Sequence, residues 1–122
     1  MSEFPTAPDV LDPEVEVLPL PDVAERLGVP FTRVHQMLRD GLLLAVRRDG
    51  VALVPAEFLT DEENIVKGLP GTVTVLRDGG FSHGEIMRWL FTEDDTLPGR
   101  PITALRENRG REVRRRAQAM AF

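Results

Sequence analysis

No cysteine occurs among the 122 residues. Disulfides and thiolate metal sites are therefore excluded, a composition that fits a reducing cytoplasm. No apolar run comes near the roughly 20 residues needed to span a bilayer. The opening MSEFPTAPDV is acidic where a secretory leader would be basic. A cytoplasmic protein without membrane association is expected. Histidine is scarce too, with only His35 and His83, in different segments, so no cluster has metal-ligand spacing and neither metal nor cofactor is expected. Neither a P-loop nor a Rossmann fingerprint occurs, and Asp78-Gly79-Gly80 reads as a helix break. The acidic run Glu93, Asp94 and Asp95 reads as an exposed loop. Catalysis is not expected.

What is present is the composition of an ordinary globular domain, 42% hydrophobic and 29% charged. The net charge of -5 is unevenly placed. Residues 1–16 hold Glu3, Asp9, Asp12, Glu14 and Glu16 and no base, so this stretch alone accounts for the whole deficit. Residues 100–116 carry seven arginines against Glu107 and Glu112, a local excess of +5. A basic footprint is thus compatible with an acidic protein. Residues 1–14 contain Pro5, Pro8 and Pro13 among acids and small residues, and read as a flexible acidic tail. Within it Thr6 is a candidate phosphorylation site for a Ser/Thr protein kinase. Nearly two added negative charges there would increase repulsion from any polyanionic partner.

From Val15 the pattern changes. Val15, Val17 and Leu18 suggest a short strand, and Leu20, Val23, Ala24 and Leu27 recur at helical spacing, with Pro21 suited to the first turn and Gly28 as a stop. A second helix spans about Pro30 to Asp40, with Phe31, Val34, Met37 and Leu38 on one side and Gly41 at its end. In LLLAVRRDGVALVP, two apolar runs flank Asp49-Gly50, a strong hairpin signal. A short helical turn over Pro55 to Leu59 and an acidic connection lead to an all-helical portion from about Leu69. There Ser82 and Glu85 have capping-box spacing, so a helix should start at His83. Pro101 can open another helix through Leu105, and Arg111 to Met120 gives a last one. Trp89, among Ile86, Leu90 and Phe91, reads as a core residue.

Each helical residue turns by about 100°, so Thr32, Gln36, Arg39 and Asp40 cluster opposite the apolar residues of the second helix, with Arg33 at the edge. A DNA-recognition helix needs such a face, since Gln can pair with adenine and Arg with guanine. The same polar face would serve a merely solvated helix. The tight connection Gly28-Val29-Pro30 forces a steep helix crossing, and the hairpin puts Arg47 and Arg48 at its tip, where they can reach phosphates or a minor groove.

The stretch LPLPDVAERLGVPFTRVHQMLRDGLLLAVRRDGVALVPAEFL resembles the winged helix-turn-helix of the excisionase and MerR-like families. The shared pattern is Ala24, Leu27 to Val29, Val34, Asp-Gly after the second helix, a short wing and Val-Pro beyond it. The resemblance implies DNA binding with the helix from Phe31 to Asp40 in the major groove and Arg47 and Arg48 beside it. Those families usually carry Ser or Thr where Pro30 stands, so the capping hydroxyl is absent here. The whole chain is similar to a family of small actinobacterial winged-helix DNA-binding proteins with a characteristic helical C-terminal domain, a likeness carried by WLFTEDDTLPGRPITAL. That half also distantly resembles the C-terminal domains of Xre-type antitoxins, which dimerise or hold a partner protein.

The expected fold is mainly α: a winged helix-turn-helix with a small β-hairpin wing plus a C-terminal helical bundle. The expected divisions are a tail over 1–14, a winged domain over 15–68 and a helical domain over 69–122. The expected function is double-stranded DNA binding in transcription regulation, with localisation to the nucleoid when DNA-bound. Thr32, Arg33, Gln36, Arg39, Arg47 and Arg48 would meet DNA. Arg111, Arg114 and Arg115 would add phosphate contacts, or else form a solvated face paired with Glu107 and Glu112. The rival is a protein-interaction module, antitoxin-like or dimerising through the C-terminal domain, whose winged domain is only structural.

Overall fold

In the computed structural model, which describes residues 4–121, strands β1 (Ala7–Pro8) and β2 (Val17–Pro19) precede helices α1 (Leu20–Leu27) and α2 (Phe31–Arg39). Strands β3 (Val46–Arg48) and β4 (Val51–Pro55) form the hairpin, and a 3-10 turn occupies Ala56–Phe58. Helices α3 (Leu69–Asp78), α4 (His83–Leu90), α5 (Pro101–Arg106) and α6 (Gly110–Ala121) follow. This is the mainly helical winged fold expected.

Local chemistry accounts for the boundaries. Helices α1, α3 and α5 each have proline in the first turn, where its missing N–H is not needed. Helix α4 begins with the full capping box: Ser82 Oγ accepts from the Glu85 N–H at 3.2 Å, and Glu85 returns a carboxylate to the Ser82 N–H at 2.9 Å. Gly28, at φ +67°, ends α1 in the left-handed conformation that turns the chain sharply into α2. Asp49 and Gly50 both have positive φ, 51° and 79°, as a two-residue type I′ hairpin turn requires.

The sheet order is β1-β3-β4-β2, with β3 and β2 antiparallel to β4 and β1 parallel to β3. Here the tail expected over residues 1–14 needs correction. Residues 1–3 lie outside the described residues, but Ala7 pairs with Val46, and its N–H donates to the Ala45 carbonyl at 2.8 Å. Ala7 and Leu11 are buried, and α4 packs against β1. The physical reason is the free edge of β3, whose backbone groups need a partner. A segment too poor in apolar groups to fold alone can still dock where an edge is already built.

One continuous core runs through both halves, from Val34, Leu38 and Val54 to Leu69, Val73, Ile86 and Val113. Burying each such aliphatic side chain stabilises by about 1.5–3 kcal/mol. Polar ties lock the halves together. Arg106 donates to the carbonyls of Glu57 and Leu59 at 2.9 and 2.7 Å, and Arg100 pairs with the Glu57 carboxylate at 2.6 Å. The helix pair that carries the polar face is thus mounted on a rigid support.

Candidate nucleic-acid interface

Helix α2 turns Val34, Met37 and Leu38 into the core and leaves Thr32, Gln36 and Arg39 exposed. Its N-cap, Pro30, makes no side-chain capping bond. Arg33, at the edge of the exposed face, reaches across one turn: its Nη1 donates to Gln36 Oε1 at 3.0 Å. The two side chains are thereby held as one polar unit.

The hairpin lies next to this helix. A groove of about 380 Å³ runs between them, walled by Phe31 and His35 of α2 and by Arg47, Val51 and Ala52 of the wing. Arg47 donates from Nη1 to the Gly50 carbonyl at 3.0 Å, which curls it back over the turn. Arg48 is occupied in a way the sequence did not signal. Its Nε donates to Asp9 Oδ2 at 2.6 Å and its Nη2 to Asp9 Oδ1 at 3.2 Å, a bidentate pair. That hydrogen bonding holds the Asp9 carboxyl below the usual carboxylate range, so Asp9 is charged near neutral pH. A residue of the expected tail therefore masks one of the two wing arginines. Phe4 sits 4.9 Å from the His35 ring, and Phe31 sits 4.6 Å from it, centroid to centroid. The N-terminal segment thus touches both the helix and the wing. Thr6 lies between these contacts, half-buried, next to β1.

The arginines of α6 form a separate surface. Arg111, Arg114 and Arg115 are exposed on a helix that packs on α3 and α5. Arg114 lies over Gly71 of α3, and Arg115 lines a cleft with Thr96 and Leu97. Other arginines of this stretch are structural. Arg109 pairs with Glu107 at 2.9 Å and donates to the Leu97 carbonyl at 3.3 Å, while Arg116 pairs with Asp94 at 3.3 Å.

Asp94 is the second feature that sequence reading missed. It was expected in an exposed loop, yet its side chain is only 10% exposed. It accepts from the Thr96 hydroxyl at 2.6 Å, the Thr96 N–H at 2.9 Å, Trp89 Nε1 at 3.2 Å and Arg116 Nε at 3.3 Å. These bonds, the Thr96 hydroxyl foremost, hold its pKa down at about 2. The spacing Asp-x-Thr, typical of side-chain turns, was the available signal. Trp89 is accordingly half-buried, with its ring in the apolar cluster and its N–H on this carboxylate.

Comparison with known proteins bears on the whole chain. Residues 3–59 match a family model described as the wHTH domain of the DNA-binding protein Rv2175c. Residues 66–121 match one described as the Rv2175c C-terminal domain of unknown function. The first match includes the segment carrying β1 and Asp9. The DNA-binding protein Rv2175c of Mycobacterium tuberculosis is 47% identical over an alignment of 134 residues, which covers 100% of this chain and 92% of that protein. The NMR structure of Rv2175c superposes with a TM-score of 0.89 at 48% identity, covering 98% of this chain and 90% of that one.

Proposed function

This chain belongs to the Rv2175c family, and from that premise we propose that it binds double-stranded DNA as a non-catalytic regulator of transcription. The observation that carries the reading is the side-by-side arrangement of the α2 polar face and the arginine-bearing wing, with only a shallow groove between them. Helix α2 enters the major groove and offers Thr32, Arg33, Gln36 and Arg39 to base edges and phosphates. Arg47 meets the adjacent backbone, and Arg48 joins it once released from Asp9. Arg111, Arg114 and Arg115 add grip without sequence preference where the duplex extends past the winged domain. The protein works in the cytoplasm, on the nucleoid.

The N-terminal segment regulates this activity. Thr6 is the acceptor for a Ser/Thr kinase, which reaches it when the two-residue β1 detaches. The phosphate then adds negative charge beside Arg47 and Arg48, where it repels DNA and competes for their guanidinium groups. Mass spectrometry of protein from its native host that finds no modified Thr6 under any growth condition would remove this part of the proposal.

The reading is tested by titrating labelled duplexes at several salt concentrations with wild type and an Arg33→Ala, Gln36→Ala double variant. Wild type should bind with steep salt dependence, and the variant should lose sequence preference. No binding at low salt, or equal binding by the variant on every duplex, would overturn it. The dimerising alternative predicts instead a concentration-dependent size in solution.

A further inference from the structure

Two large apolar side chains stand well exposed among the described residues, Phe31 at 44% and Val51 at 50%. Both line the groove between α2 and the wing. Phe31 is the first residue of α2, immediately before Thr32, in the turn from which recognition helices contact base edges. Its ring packs against His35, which also carries the Phe4 ring, and its other side is open to water. A polar residue would serve a helix start at least as well. Exposed aromatic surface at the head of a polar reading face implies an apolar target.

The groove has Arg47 on one wall, and Phe31 on the other directly precedes Thr32 of the exposed polar face, a setting that suits a polyanion better than an apolar peptide. Within the major groove the apolar feature that distinguishes an unmodified base is the C5-methyl of thymine. We propose that Phe31 reads a thymine C5-methyl, so that each bound copy prefers thymine at one position. The proposal rests on the DNA-binding reading above and specifies what the head of α2 recognises.

Replacing thymine by uracil removes that methyl and leaves base pairing intact. Wild type should bind an alternating A/T duplex about threefold or more tighter than the matching A/U duplex, the value of one buried methyl group. Methylating C5 of cytosine in an alternating G/C duplex should tighten binding by a similar factor. Phe31→Ala should bind the two duplexes of each pair equally. Phe31→Leu should keep part of the discrimination, and unchanged thermal unfolding of both variants would show that the fold is intact. Equal binding of A/T and A/U duplexes by wild type, with the Arg33→Ala, Gln36→Ala variant still impaired, would overturn the proposal and leave the DNA-binding reading standing. Equal binding with that variant unimpaired would remove both. A change in solution size on Phe31→Ala, with the thymine-to-uracil ratio unchanged, would assign the groove to a second copy instead.

Discussion

Replacing Asp9 by Asn should strengthen DNA binding. In the native protein the Asp9 carboxylate accepts two bonds from Arg48, at 2.6 and 3.2 Å, and its lowered pKa keeps it charged throughout the neutral range. The wing thus offers Arg47 with Arg48 half-neutralised. Asparagine retains one acceptor oxygen but no charge, so Arg48 is released to a phosphate. One additional phosphate contact makes the slope of log affinity against log salt steeper by about 0.9. Between about 50 and 200 mM salt that difference amounts to roughly 3.5-fold, so the gain is largest at low salt and fades as salt rises. Fluorescence anisotropy on one duplex, wild type beside Asp9→Asn across that range, measures both quantities. Protection of the Ala7 amide, which bonds the Ala45 carbonyl at 2.8 Å, would show that β1 remains docked. Parallel salt slopes would refute the masking argument. Weaker binding by the variant would show that Asp9 orients Arg48 towards DNA and does not compete with it.

Thr6→Glu should weaken duplex binding, most at low salt, while Thr6→Ala leaves it unchanged, both read in the same anisotropy assay. Acidification should release Asp94: its folded pKa of about 2 lies below the ordinary 3.8, so its stabilising contribution is present above pH 3.8 and is lost as pH falls through about 2. The shift is worth up to about 2 kcal/mol. Because Trp89 is the single tryptophan and donates to this carboxylate, its emission should change over that window, and Asp94→Asn should abolish the transition. Ser82→Ala removes the capping oxygen of α4 and should lower stability by about 1 kcal/mol in denaturant unfolding, leaving DNA affinity as it was. Arg106→Ala strips a partner from two carbonyls at the joint between the halves and should cost about 1–3 kcal/mol in the same experiment.

The elements legible in the sequence were those whose signals are local. First-turn prolines, the Ser82–Glu85 capping box, the Asp49-Gly50 turn and the apolar spacing of Val34, Met37 and Leu38 each act within a few residues, and the structure forms helices and hairpin there. The features that escaped are held by long-range partners. The docking of β1 depends on the edge of β3 about forty residues away, and nothing in PTAPDV shows that an edge awaits it. Asp9 gained its role from Arg48 by the same pairing. Asp94 is the exception: Thr96, two residues on, and Trp89, five residues back, are local partners, and only Arg116 of α6 comes from farther along the chain. For the interface, spacing alone put Thr32, Gln36 and Arg39 on one face, but the Phe4–His35–Phe31 contacts needed the tertiary fold.

The central claim is that DNA is met by the first turns of α2 together with the wing. Amide chemical-shift mapping during titration with a short duplex tests it most directly. The account predicts that the largest shifts fall on Phe31 to Arg39 and on Arg47 to Val51, and that the buried residues of α3 and α4 stay still. Shifts concentrated on α5 and α6, with α2 and the wing unmoved, would contradict it.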